Sequence, residues 1–524
     1  MENKTTAAAT TAATSSPSYP LMICHHVLPT SKSATNNFSH QQHPNHHHTN
    51  TWHLQEVVEE IKQLYSIAFP MIITGLILYG KALISMLFVG RLGKEVLAGC
   101  SLSIGFANIT GYSVLSGLSM GMDAISSQAY GAKQWLLMSH VLQRTITILI
   151  FISIPLSFLW LNVEPLLLYF GQDPKISSIA STYLAFSLPD LLFQSILNPL
   201  KIYLRSQNIT RPLMHSSLFA LLLHAPINYL LVCHLELGIR GVATAGCLTN
   251  LNFLIAIFFY LYFSKTHIIS WQSWSFECFR EWKPILSLAI PSCISVCLEW
   301  WWYEFMILFS GLLSHATEAM AAMGILMQTT SLVYIFPSAL SLAVSTRVGN
   351  ELGANRPERA RTSTHIGLLC AVFTGLIAMV FTMTLRDVWG RAFTGDEAII
   401  SLTAMAMPVI GLCELGNCPQ TTGCGVLRGS ARPSLGANIN LGSFYGVGLP
   451  VAIILGFVMD MGLLGLWLGL LAAQVTCATV MVFVLMETDW THEATRSKEL
   501  TGAVEETNRQ EESKTPLLDR CEDV

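Results

Sequence analysis

Apolar stretches of about 18 or more residues recur along this chain between short polar breaks, the length a helix needs to cross the hydrocarbon core of a bilayer. Twelve spans are expected, at about 61–89, 97–127, 137–161, 177–200, 212–233, 241–264, 284–311, 319–346, 362–385, 398–423, 434–458 and 463–487. The flanks read differently. Residues 1–53 are rich in Thr, Ala, Ser, Asn and His, and residues 488–524 in Glu, Thr, Lys and Arg; such compositions predict disordered tails. The cluster His46, His47 and His48 belongs to the first of them. An even number of spans places both tails on one side of the membrane.

The pattern also repeats. Pro70 precedes Gly90 by the spacing with which Pro291 precedes Gly311, and Gly131-Ala132 is answered by Gly353-Ala354. Later, Arg205 and Pro212 are answered by Arg428 and Pro433, and Gly238-Ile-Arg-Gly241 by Gly462-Leu-Leu-Gly465. Two homologous six-helix lobes follow, at 54–264 and 284–487, joined by a linker at 265–283. Six is even, so the halves share one orientation and are related by an axis along the membrane normal, an arrangement typical of transporters.

Charge decides the orientation. The loops after even-numbered spans hold fourteen Lys and Arg against six in the opposite loops, so the positive-inside rule puts both tails, and the linker, in the cytosol. Composition then narrows the class. Among 524 residues 12% are charged and 52% apolar, with a mean hydropathy of +0.49, which rules out several water-facing domains. A net charge of -4 carries no polyanion signature, so nucleic acid is not an expected partner. The thirteen cysteines form no CxxC pair and read as small apolar fillers, with no metal site or cofactor implied. No signal peptide is expected, because Pro20 and His25-His26 interrupt the apolar piece near the N-terminus.

Charges inside spans are the functional candidates, since each costs about 2.5–3.5 kcal/mol at the bilayer centre on insertion scales. Span 7 reads Cys297-Leu-Glu299-Trp-Trp-Trp-Tyr-Glu304, two carboxyl groups beside four aromatics. Desolvation disfavours a carboxylate, so such a group can trade a proton for a cation, and aromatic faces such as Trp301 and Tyr303 suit flat organic ligands or cations. Span 10 carries Glu414, Asn417 and Gln420 as a polar stripe, with Pro419 expected to break the helix. In the first half, Asp123 reads as structural, Asp190 as structural or functional, and Lys81 as a partner of Asp190 or of an anionic solute. Glu299 and Glu414 are the expected proton-coupling acids; Glu304, Trp301, Tyr303, Asn417, Gln420, Lys81 and Asp190 are the expected cavity residues.

Ser127-Gln-Ala-Tyr-Gly-Ala132, Arg347-Val-Gly-Asn-Glu-Leu-Gly-Ala354, Leu298-Glu-Trp-Trp-Trp-Tyr-Glu304 and Gly425-Val-Leu-Arg-Gly429 together resemble multidrug and toxic compound extrusion (MATE) transporters, specifically the plant DETOXIFICATION group. The resemblance covers about residues 55–490. It implies a V-shaped pair of six-helix lobes that exports small organic solutes in exchange for protons, with sodium the lesser candidate, and it matches Glu299 to the acid that couples proton binding to release. The chain departs from the pattern twice. Ser85 stands where prokaryotic relatives often carry an acid, and Asn417 stands where plant and animal relatives carry one, with Glu414 one turn away. A lipid flippase of a related lobed fold is the alternative function; a membrane-embedded enzyme lacks a suitable constellation, since His140, His215, His224 and His365 are scattered singly. The chain is expected to work as a monomer in the bilayer. Glu511-Glu512-Ser-Lys-Thr-Pro-Leu517-Leu518 resembles an acidic dileucine sorting signal and favours an endomembrane, late endosomal or vacuolar, over the plasma membrane.

Overall fold

Long apolar helices account for almost all of the described residues. The structure, a computed structural model, describes residues 54–264 and 276–502. The tail expected at 1–53, the dileucine-like segment and most of the expected linker lie outside those residues. Among the described residues twelve membrane helices follow in chain order. They are α1 (Leu54–Arg91), α2 (94–131, in segments), α3 (Trp135–Leu161), α4 (Pro174–Ser206), α5 (Arg211–His234) and α6 (Gly238–Ser264), then α7 (Trp282–Ser310), α8 (Ala316–Gly353), α9 (Pro357–Trp389), α10 (Glu397–Gly429), α11 (Pro433–Val458) and α12 (Gly462–Met486).

Eleven of these are long and apolar enough to span a bilayer, α5 and α11 among them although they contain π-helical segments, Tyr229–His234 in α5 and Leu441–Gly448 and Ile454–Val458 in α11. The remaining one, α2, is a composite of Lys94–Ala107, a π-helical turn Asn108–Tyr112, Ser113–Ser119 and Gly121–Gly131. Its junction residues Asn108, Ser113 and Met120 keep right-handed helical dihedrals, so the path stays continuous. Large apolar side chains such as Leu222, Phe263, Ile377 and Phe483 face outward, fully 60–72% exposed, as a lipid-facing surface requires.

Two sequence expectations are corrected. Pro419 does not break α10, which runs from Glu397 to Gly429 with both Pro408 and Pro419 inside it; a helix packed on all sides can absorb one missing backbone donor. The tail expected to be disordered from 488 begins instead with a helix, α13 (Trp490–Thr501), whose N-cap Asp489 accepts from the amides of Thr491 and His492 at 2.9 and 3.2 Å. That capping satisfies donors the first turn would otherwise leave open.

The backbone carries the internal repeat in detail. Left-handed dihedrals recur at matching turns: Lys133 with Asn355, Asn208 with Ala431, Glu236 with Asp460, and Gly238 with Gly462. Packing repeats as well. α1 lies against α5 of its own half and α8 of the other, while α7 lies against α11 of its own half and α2 of the other. Each half has its own core. Met122, Leu142, Tyr203 and Phe253 centre the first, which receives Ile285 and Leu288 of α7. Met407, Phe444, Trp467 and Leu470 centre the second, which receives Leu64, Ile67 and Ala68 of α1.

At the end bearing the Lys133 and Asn355 turns the halves interlock. A β-carbon on Gly131 would strike the Asn350 carbonyl, and one on Gly353 would strike the Gln128 carbonyl. Only glycine lets the two backbones approach this closely, and the pairing is reciprocal, as a two-fold relation between halves demands.

Candidate functional site

Lys81 of α1, Asp190 of α4 and Asn250 of α6 meet inside the first half. Lys81 Nζ donates to Asn250 Oδ1 at 2.9 Å, Asn250 Nδ2 donates to Asp190 Oδ1 at 2.6 Å, and the Tyr112 hydroxyl donates to Asp190 Oδ2 at 2.9 Å. The expected Lys81–Asp190 pairing is therefore indirect. An amide has an acceptor and donors on one planar group, so a single Asn can serve the cation and the anion at once. Nearby, Ser85, at the position where an acid is often found, is hydrogen-bonded to buried His224 at 3.0 Å, and His224 to Thr249 at 2.6 Å.

These groups border a cavity of about 470 Å³, whose polar wall includes Lys81, Asn108, Tyr112, Asp190, Gln194 and, from the second half, Glu304. A second cavity of about 360 Å³ adjoins it, bordered by Glu299, Tyr303 and Glu304 of α7 and by Thr330 and Tyr334 of α8. Asn108, Glu304 and Ile307 border both, so the two volumes meet where the π-helical turn of α2 faces α7. The turn is useful there. Its Ile109 carbonyl accepts from Ser113 Oγ at 2.9 Å and from the Trp301 indole at 3.2 Å, tying α2 to α7 across the halves. π-helical insertions of this kind recur at functional positions because they rotate side chains out of helical register.

Glu299 is 8% exposed, with Tyr334, Gln420 and Arg428 as its polar neighbours. Glu414 is 1% exposed and lies behind the cavity wall rather than on it. Asn417 Nδ2 donates to Glu414 Oε2 at 2.9 Å; Thr421 and Gln474 donate to Asn417 Oδ1 at 3.2 and 3.4 Å; Gln420 donates to Asn440 Oδ1 at 3.4 Å. Asn440 in turn donates to Ser295 of α7 at 3.1 Å. The Thr421 hydroxyl, 3.2 Å from Asn417 Oδ1 and 3.3 Å from Gln420 Oε1, joins the two groups, so a polar chain links Glu414 to the helix that carries Glu299.

The expected residues divide accordingly. Glu299, Tyr303, Glu304, Lys81 and Asp190 border the cavities. Trp301 is turned to the α2 backbone, and Asn417 and Gln420 are buried behind the wall. Asn108, Tyr112, Asn250 and Tyr334 escaped the sequence reading, because single neutral polar residues within apolar spans carry no periodic signal.

Below the cavities the halves are sealed by buried ion pairs. Arg347 of α8 donates to both oxygens of Glu60 on α1 at 3.0 and 2.9 Å, and Ser363 of α9 donates to the same carboxylate at 2.6 Å. Arg347 also contacts Glu351 at 2.8 Å, which contacts Arg356 at 2.7 Å. Asp123, expected to be structural, lies 2.7 Å from Arg205 and accepts from Ser345 of the other half at 2.8 Å.

Comparison with known proteins agrees with this architecture. The MatE family model matches residues 70–230 and 291–454, one match per half. The chain is 58% identical to Protein DETOXIFICATION 48 of Arabidopsis thaliana over 447 residues, covering 85% of this chain and 84% of that one. It is 55% identical to Protein DETOXIFICATION 49 of the same plant, covering 89% and 92%. A crystal structure of the eukaryotic MATE transporter AtDTX14 superposes with a TM-score of 0.82 at 29% identity, covering 85% of this chain and all of that one.

Proposed function

This chain belongs to the MatE family of multidrug and toxic compound extrusion transporters, and from that membership we propose that it exports small organic solutes from the cytosol by exchange with protons, its two lobes alternating access to the cavity between them. It is a multi-pass membrane transporter and not an enzyme. One observation carries the exchange reading: Glu299 and Glu304 border one cavity, and Glu304 also borders the adjoining cavity that holds Lys81. A carboxyl group beside a solute site can carry a proton or attract a cation, but not both at once, and that exclusion is antiport.

Glu299 is the proposed coupling acid, with Tyr334 and Gln420 as neighbours that orient it. Glu414 is the proposed second acid, acting through the buried chain of amides rather than by touching solute. The aromatic surfaces of Trp300 and Tyr303 favour flat organic molecules, and Lys81 extends the range to solutes with an anionic group. Each chain encloses its own cavity, which supports a working monomer. The dileucine-like residues Leu517 and Leu518 support an endomembrane location, tested by imaging a tagged full-length chain.

The deciding experiment is flux of a fluorescent organic cation into vesicles reconstituted with the full chain, against an imposed pH gradient. The wild type should accelerate with the gradient, and Glu299→Gln should fold normally yet lose that acceleration. Gradient-driven flux retained in Glu299→Gln would remove Glu299 from the coupling role.

A further inference from the structure

The helix after the last span has one buried face. Trp490, Glu493, Ala494, Ser497 and Thr501 of α13 are each buried, while Thr491, His492, Thr495, Arg496 and Glu499 face water. Spacings of three and four make these two sides of one helix. The buried side does not rest on a single lobe. Trp490 and Ala494 are part of the second-half core, whereas Leu500 packs against the first-half core. Ten residues of helix cover about 15 Å, enough to reach across the seam. Accordingly α13 touches α8 and α9 on one side and the Gly121–Gly131 segment of α2 on the other.

Polar contacts fix its middle. Arg496 Nη2 donates to the Ala431 carbonyl at 3.0 Å, in the turn between α10 and α11. Glu493 lies 3.5 Å from Arg432 and 3.6 Å from Arg496, and Arg432 donates to Thr488 at 3.1 Å, just before α13 begins. Ala431 itself is buried in the first-half core although it belongs to the second-half chain. The turn that α13 grips is thus the one that crosses the seam.

We propose that α13 is a strap across the cytosolic seam, anchored to the second lobe by Trp490 and clasping the first lobe through Leu500. Its double seat exists only while Gly131 lies against Asn350 and Gly353 against Gln128. Opening toward the cytosol separates α2 from α8, so the Leu500 end must leave α2 first. The strap therefore biases the transporter toward the state closed to the cytosol, and its release sets how often the cavity is offered to cytosolic solute. This inference builds on the alternation proposed above, but seam opening is measurable without any flux.

The test compares wild type, Leu500→Asp and Leu500→Met as full chains in lipid nanodiscs, by amide hydrogen exchange. Leu500 is partly exposed near the end of a short peripheral helix, so neither substitution lies within a membrane span. Leu500→Asp should speed exchange in α13 and also, by roughly tenfold, in the seam turns at 131–134 and 353–356, a shift of about 1.4 kcal/mol in the opening equilibrium. Leu500→Met should keep both slow. Faster exchange in α13 with unchanged seam turns would make α13 a passenger and overturn the proposal. Unchanged exchange in α13 itself would overturn it too, since Leu500 would then not be the clasp. The vesicle flux assay reads the coupling mechanism separately, so loss of gradient-driven flux bears on that reading and not on the strap.

Discussion

Lys81 and Asp190 communicate through one amide: Asn250 accepts from the lysine at 2.9 Å and donates to the aspartate at 2.6 Å. The three residues come from α1, α4 and α6, so the relay also pins three helices of the first lobe beside its cavity. Removing either charge leaves the other in a low-dielectric setting, and breaking a buried pair in this way costs about 3–5 kcal/mol when contact is direct. An intervening amide lessens the cost. Lys81→Met and Asp190→Asn should each lower the thermal unfolding midpoint in detergent, and the double variant should recover part of the loss. Asn250→Leu should be about as damaging as either single change, since it removes the partner that both charged groups share. A double variant less stable than both singles would argue against coupling through Asn250.

Glu414 and Asn417 lie three residues apart on α10 and share a 2.9 Å hydrogen bond. On a helix this spacing puts them on neighbouring positions of one face, offset by about 4.5 Å along the axis. If Glu414 supplies the second acid, Glu414→Gln should reduce the acceleration of flux by a pH gradient to near one-fold. Adding Asn417→Asp should restore part of it, because a carboxyl group returns within reach of the same chain. Full acceleration in a well-folded Glu414→Gln variant would sink the assignment.

The bidentate contact of Arg347 with Glu60 predicts that Arg347→Lys is not conservative. A lysine can fill only one of the two parallel bonds to Glu60 and also meets Glu351 with less geometric match. A loss of about 1–2 kcal/mol is expected, within the range for one charge-assisted hydrogen bond. Arg347→Met should cost more, because Glu60 and Glu351 would both remain buried without their shared cation. Thermal unfolding of the two variants orders these effects; equal midpoints for wild type and Arg347→Lys would contradict the bidentate account.

Orientation is testable with exposed positions at opposite ends of the helices. Cysteines placed at Leu136 and Glu358 should be labelled only after the plasma membrane is opened, and those at Gln172 and Glu397 from the far side. In sealed vesicles of known sidedness, an impermeant maleimide distinguishes the two sets. Labelling of positions 136 and 358 from the side opposite the cytosol would reverse the topology.

Sequence alone determined the twelve spans, the repeat and the acids of α7, because each leaves a local trace: an apolar run of membrane length, a pair of matching turn motifs, a charge where insertion is costly. Even the composite α2 was legible as a span, although its π-helical turn was not. Two local readings failed for a physical reason. Pro419 and the polar composition after 488 are poor helix signals, yet neighbouring helices supply the packing that keeps α10 continuous and gives α13 a buried face. What only the tertiary structure decided is which polar groups meet. Periodicity assigns a side chain to a face of its helix but leaves open how that helix is rotated against its neighbours, and a π-helical turn shifts the rotation again. Asn250 is 169 residues from Lys81, and Arg347 is 287 from Glu60. Over such separations a contact is set by the joint packing of many helices, so the relay in the first lobe, the position of Glu414 behind the cavity wall and the seal between the lobes belong to the fold and not to any stretch of sequence.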